Sequence, residues 1–151
     1  MEFRELLKRR RMVRAYTDEP IERDESRQLG GGGLHARGGE GSLEIGYFIR
    51  ADATGRGFAT EVTAVLTRVG FERCGLVRVD IQVDPANERS LRIPRKLGFV
   101  EEGLLRRRLE PFEPRGERRD STLFTMLAEE LERSPCMDFA YRAFDAVGNE
   151  L

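Results

Sequence analysis

The stretch "LEIGYFIRADATGRGFATE", residues 43–61, changes its period half-way along. As far as Ile49 it alternates. Leu43, Ile45, Tyr47 and Ile49 fall on one face, and Glu44, Gly46 and Phe48 fall on the other. That is the pattern of a β-strand with two occupied faces. From Gly57 onward Phe58, Val62, Val65, Leu66 and Val69 recur at helical spacing, which predicts an amphipathic helix over residues 57–73 with Gly75 as its terminator. Between them "ADATGRG" is a polar loop. Strand, glycine-bearing turn and helix in this order bring the first backbone N–H groups of the helix to the end of the strand. Those of Arg56 to Thr60 point outward with the positive end of the helix dipole, and Gly55 and Gly57 let a bulky anion approach. The turn reads as a phosphate or pyrophosphate seat, or equally as a tight turn that needs glycine for geometry alone. Neither G-x-x-x-x-G-K-[ST] nor G-x-G-x-x-G is present.

Downstream, "LVRVDIQV" alternates again, with Val77, Val79, Ile81 and Val83 on one face. "DPANERSLRIPRKLGF" then predicts a helix capped by Asn87 and closed by Gly98, with Leu91 and Leu97 facing inward and Pro94 kinking it. "FVEEGLLRRRL" and "DSTLFTMLA" read as two strands joined by the polar loop "EPFEPRGERR". The order β-β-loop-α-β-α-β-β implies an α/β (α+β) chain: a mixed sheet with helices packed against it.

Upstream lies "GGGGLHARGGEG", residues 30–41, which holds seven of the sixteen glycines. Gly30 to Gly32 read as a join between dissimilar pieces. From about Gly33, "GLHAR" reads as a strand, and "GGEG" as the turn before Glu44. Residues 2–14 place Phe3, Leu6 and Leu7 on one face of a weakly amphipathic helix, and the basic run Lys8 to Arg11 as its solvated face.

The totals narrow the classes. A 151-residue chain is long enough for one domain to bury a core without disulfide or metal staples. A hydrophobic content of 39% beside 35% charged residues fits a soluble globular protein. The net charge of −1 argues against a general nucleic-acid or membrane binder. No segment approaches the ~20 apolar residues that span a bilayer, and no signal peptide opens the chain, so the cytoplasm is expected. Cys74 and Cys136 lie far apart with no C-x-x-C pair, so no metal site is expected.

Three residues besides the turn could carry chemistry. Glu44 sits just upstream of the anion seat, where a carboxylate can take a proton from an amine; the competing reading is an exposed strand glutamate. Ser90 and Asn87, on the next helix, could reach a ligand in the same cleft or could simply cap that helix. His35, the sole histidine, has no serine, cysteine or carboxylate partner at a meaningful spacing, and reads as an ordinary strand or loop residue.

Taken together, "LEIGYFIRADATGRGFATE", "VDPANERSLRIPRKLGF" and "RRDSTLFTMLAEE" resemble the GNAT acetyltransferases in order and spacing, particularly the branch that acetylates ribosomal-protein N-termini and related amines. The resemblance covers about residues 31–134. It implies a mixed, mostly antiparallel sheet with flanking helices, and acetyl-coenzyme A lying where the strand of Tyr47 to Arg50 splays from that of Val77 to Val83. Phe48, Ile49 and Arg50 would line the coenzyme. The backbone of Arg56, Gly57, Phe58, Ala59 and Thr60 would hold its pyrophosphate, and Asn87 would contact the pantetheine arm. Glu44 stands where the family places a general base, and Ser90 where a hydroxyl can reprotonate the leaving sulfur. A strand N–H near Phe48 would stabilise the oxyanion. The acceptor would be a primary amine, either a protein N-terminus or a small molecule.

The front departs from that pattern. Only about thirty residues precede the "GLH" strand, so the family's first strand and helices are expected to be shortened or replaced. This divides the chain into an atypical segment, residues 1–29, and an acetyltransferase domain, residues 30–151. "MEFRELLKRRRMVRAYTDEPI" resembles the start of nitroreductase-type flavoproteins, yet no later flavin-binding element follows, so FMN is not expected as a cofactor. "MVRAYTDEP" is also similar to the opening strand of the acetyltransferases. A shortened sheet leaves an unpaired edge, which predicts self-association as a homodimer. The alternative to an enzyme is a non-catalytic acyl-coenzyme A-binding or interaction module.

Overall fold

A computed structural model describes residues 14–16, 29–144 and 147–150. Among these residues seven strands and two α-helices follow one another: β1 (Arg14–Tyr16), β2 (Gly30–His35), β3 (Ser42–Ile49), α1 (Phe58–Glu72), β4 (Arg78–Val83), α2 (Glu88–Lys96), β5 (Val100–Leu109), β6 (Arg119–Leu127) and β7 (Arg142–Phe144). Five strands form one sheet in the order β2-β3-β4-β6-β5. Every neighbouring pair is antiparallel except β3 and β4, which run parallel because α1 crosses between them. The mixed sheet with flanking helices is the one anticipated.

The apolar face of the alternating strands is the core. Leu43 and Ile45 of β3, Val79, Ile81 and Val83 of β4, and Phe124 and Met126 of β6 are all buried, and α1 covers them with Ala64, Val65 and Val69. Each such side chain contributes about 1.5–3 kcal/mol by leaving water. Thr63 and Thr67 of α1 are wholly buried as well, and each hydroxyl is satisfied by the carbonyl four residues back, at 2.7 Å. Leu91 and Leu97 point inward as anticipated, and α2 runs through Pro94, itself buried. The Ser134 hydroxyl donates to the Leu97 carbonyl at 2.7 Å, closing the end of α2.

One expectation is corrected at the front of the chain, and a second falls almost wholly outside the described residues. The glycines do not form a join: β2 starts at Gly30, and Gly30 to Gly33 pair with Ile49 to Gly46. At two of them nothing larger fits. A Cβ on Gly30 would stand 2.5 Å from the Phe48 carbonyl oxygen, and one on Gly32 would stand 2.5 Å from Val62 Cγ1 of α1. The helix expected over residues 2–14 lies outside the described residues except for Arg14, which opens a strand. That strand, β1, pairs with β7 in a two-stranded sheet of its own, Arg14 opposite Phe144.

Candidate active site

The parallel pair β3–β4 stops early. Its register runs Ser42↔Arg78, Leu43↔Val79, Glu44↔Asp80 and Ile45↔Ile81, and goes no further, although β3 continues to Ile49 and β4 to Val83. Past that point β3 follows β2 (Gly46↔Gly33 to Ile49↔Gly30), while β4 follows β6 (Gln82↔Leu123, Val83↔Thr122). The sheet therefore forks. The Arg50 N–H donates to the Leu29 carbonyl at 2.8 Å, which continues the β2–β3 ladder. By the alternation of an antiparallel pair, the amides of Gly46 and Phe48 also face β2, and those of Tyr47 and Ile49 face into the fork. The free strand amides are thus the two flanking Phe48 and not its own. The Phe48 side chain is 59% exposed.

The loop after β3 ends the fork on one side. Ala53 is buried and anchors it, Thr54 Oγ1 donates to the Ala51 carbonyl at 2.9 Å, and the Arg50 guanidinium pairs with Asp52. Gly55 and Gly57 adopt left-handed backbone, φ 78° and 87°, with no heavy atom within 4 Å of either Cβ position. The first helical bond of α1 is Glu61 N–H to Gly57 O at 3.0 Å, and no side chain caps this end. The N–H groups of Phe58, Ala59 and Thr60 are left for another acceptor. Arg56 lies with its guanidinium 4.9 Å from the centre of the Phe58 ring.

The start of α2 differs. Asn87 Oδ1 accepts from the Ser90 N–H at 3.1 Å, the ordinary cap, which leaves the Asn87 amide nitrogen and the Ser90 hydroxyl for other partners. Ser90 stands beside the Tyr47 phenol. Burial pushes the Tyr47 hydroxyl up from its usual range, and the neighbouring Ser90 opposes the shift. The contact is not a closed hydrogen bond, because Tyr47 Oη is one of three buried side-chain oxygens left unpartnered among the described residues. An orphaned hydroxyl beside a serine, next to the fork, suits a ligand that brings its own polar groups.

Glu44 is 7% exposed, which overturns the exposed-strand alternative. Arg37 Nη1 donates to its Oε1 at 2.8 Å, and Gln82 Nε2 donates to its Oε2 at 2.8 Å. Asp80, its register partner, is held separately by Arg78 Nε at 2.7 Å and Thr125 Oγ1 at 2.9 Å. His35 ends β2 opposite Glu44, and its ring lies over Gly46, Nε2 standing 3.1 Å from that residue's Cβ position. Glu44, Phe48 and Ile49 thus lie along β3 to either side of the point where the fork opens, and Ser90 of α2 stands beside Tyr47 on the same strand. Sequence reasoning did not single out Arg37, Gln82 or the Tyr47–Ser90 neighbourhood. The signal for Gln82 was its place two residues after Asp80 on the next alternating strand, which only the register converts into a contact with Glu44.

The family model of the GNAT acetyltransferase domain matches residues 2–100. The chain belongs to the GNAT acetyltransferase family. The match takes in the leading residues 2–29 together with the fork, so nothing in it sets that segment apart. Among curated relatives of this GNAT domain are the uncharacterized N-acetyltransferase p20 of Bacillus licheniformis and the uncharacterized N-acetyltransferase YoaA of Bacillus subtilis. The first is 34% identical over 90 residues, 60% of this chain and 49% of that protein. The second is 40% identical over 88 residues, 57% and 50% respectively. The chain therefore spans about half the length of the curated relatives it matches. Among solved structures, the GNAT fold is shared with Mycobacterium smegmatis RimJ in complex with CoA-disulfide, at TM-score 0.68 and 30% identity over 89% of this chain and 61% of that one. No helix among the described residues is long and apolar enough to cross a membrane.

Proposed function

We propose that this chain transfers acetyl from acetyl-coenzyme A to a primary amine, a protein N-terminus or a small molecule, by direct attack. The observation that carries the proposal is the fork after Ile45 and Ile81, with the uncapped start of α1 at its mouth. The residues there suit the coenzyme. The Tyr47 and Ile49 amides form a strand edge for the amide-bearing pantetheine arm, and the Asn87 amide nitrogen, not used in its own cap, is free to contact that arm. The N–H groups from Arg56 to Thr60, opened by Gly55 and Gly57, form a seat for pyrophosphate. When bound, the coenzyme supplies the acetyl group as a thioester.

The chain's own residues do the rest. Glu44 takes the proton from the amine, directly or through water, so that the nitrogen lone pair is free to attack. A fork-facing strand N–H, Tyr47 or Ile49, stabilises the developing oxyanion. Ser90, with the Tyr47 hydroxyl behind it, returns a proton at the leaving sulfur. The test is steady-state acetylation of a peptide α-amine and of polyamines, read by release of free thiol; release that depends on both substrates supports the proposal.

One observation favours a second reading, a module that binds acyl-coenzyme A without transfer. Both Glu44 oxygens already accept a hydrogen bond. A carboxylate has lone pairs for about four, so a proton can still be received. Coenzyme binding without thiol release from any amine identifies the module.

A further inference from the structure

We propose that Gln82 is a positioning residue for acetyl transfer, holding the Glu44 carboxylate in place across the point where β3 and β4 separate. This rests on Glu44 being the general base. Only the nitrogen of a carboxamide can donate to a carboxylate, so the 2.8 Å contact from Gln82 Nε2 to Glu44 Oε2 fixes which way the amide is turned. Gln82 is half-buried on β4, one residue beyond the last β3–β4 pair, Ile45↔Ile81. Its backbone is paired on the far side to Leu123 of β6. The donor therefore comes from the first residue of β4 past the separation, and the hydrogen bond ties that freed arm back to Glu44 in the still-paired stretch of β3.

The other groups around Glu44 cannot do this work. Arg37 reaches Oε1 from the β2–β3 hairpin, but its side chain is 63% exposed, and such a pair leaves the arginine free to move. Asp80 is committed to Arg78 and Thr125 and does not compete for the Gln82 amide. The terminal torsion of a glutamate is broad and about two-fold, so a carboxylate without a fixed donor turns freely. A base must meet its proton within about 2.6–3.2 Å in the productive geometry. Gln82 removes that freedom from the one oxygen that faces the fork's inner arm.

The test compares four forms of the full chain: wild type, Gln82→Leu, Gln82→His and Glu44→Gln, each with acetyl-coenzyme A affinity measured by calorimetry. Gln82→Leu is expected to lower kcat about 10-fold with coenzyme affinity unchanged, a fraction of the full general-base contribution. Gln82→His, whose ring N–H reaches nearly as far, is expected to restore most of the rate. A wild-type rate in Gln82→Leu overturns the proposal, and so do equally slow Leu and His variants, because the strand position and not the donor would then matter. Should Gln82→Leu not bind coenzyme, Gln82→Asn takes its place; it carries an amide drawn back by one methylene, and a wild-type rate from it is equally contrary. A wild-type rate in Glu44→Gln overturns instead the assignment of the base. An inactive wild type overturns the proposed function and this inference with it.

Discussion

Ile45 and Ile81 are the last residues at which β3 and β4 pair, and both are almost completely buried, at 2% and 1% exposure. The fork therefore opens directly from the core, which holds its apex rigid. Its two arms are each stiffened by an outer strand, β2 on one side and β6 on the other.

The turn at Gly57 leads from the β3 arm of the fork into α1. Gly57→Glu puts a side chain on backbone at φ 87°, strained for any L-residue, and adds bulk and negative charge beside the free α1 amides. Affinity for acetyl-coenzyme A should fall about 100-fold or more, equivalent to about 2.7 kcal/mol. Calorimetric titration checks it, with a thermal melt to show that the chain still folds. Retained affinity would remove the pyrophosphate seat from this turn.

At the apex, Glu44→Gln keeps the shape and can keep one of the two contacts but cannot accept a proton. kcat should fall by about 100-fold at neutral pH, the lower end of what general-base catalysis supplies, while coenzyme affinity stays the same. A rate within twofold of wild type at neutral pH would exclude Glu44 as the base.

The glycine strand makes a prediction about stability. Gly30→Ala brings a methyl group within 2.5 Å of the Phe48 carbonyl oxygen and 2.7 Å of Ile49 Cδ1, and backbone on a paired strand cannot yield easily. The expected loss is about 1–3 kcal/mol, as for other overpacked sites. It is read as a lower urea midpoint with unchanged slope. An unchanged midpoint would mean that β2 is not packed against β3 as described.

The two free cysteines respond to pH. Burial pushes the Cys74 thiol from its ordinary 9.0 up to about 12, and burial likewise raises Cys136. Both stay protonated in the folded chain at neutral pH, so a thiolate-directed alkylating reagent should label neither until denaturant is added. The linkage sign follows from the raised value: the folded state keeps a proton that the unfolded state gives up. The stabilising contribution is full below pH 9.0 and is lost as pH rises towards about 12. A urea midpoint that rose across that window would contradict the burial of Cys74.

Among the described residues β5 lies at an edge of the five-stranded sheet, and Val100 and Leu104 on it are 50% and 54% exposed. Apolar side chains on an unpaired edge favour pairing with a second copy. Size-exclusion light scattering should give a dimer mass, and a monodisperse monomer would reject this.

The parts of the fold that were legible are those with a period. Ser42–Ile49 and Phe58–Glu72 appear almost to the residue, because alternation and helical spacing report which side chains face the core. Gly30 to Gly33 have no side chains and so no period, and they pass for a linker until Val62 and Leu66 of α1 are placed against Gly32. The position of Glu44 was legible from its strand face. Its burial and its two donors were not, because Arg37 comes from a hairpin turn and Gln82 from a strand whose register the sequence does not state.

The central claim is that the fork receives a coenzyme, and calorimetric titration of the full chain with acetyl-coenzyme A tests it most directly, with FMN as the parallel control. Micromolar binding of acetyl-coenzyme A, about −8 kcal/mol, with no heat from FMN is the predicted result. No binding of acetyl-coenzyme A by a folded chain would contradict it.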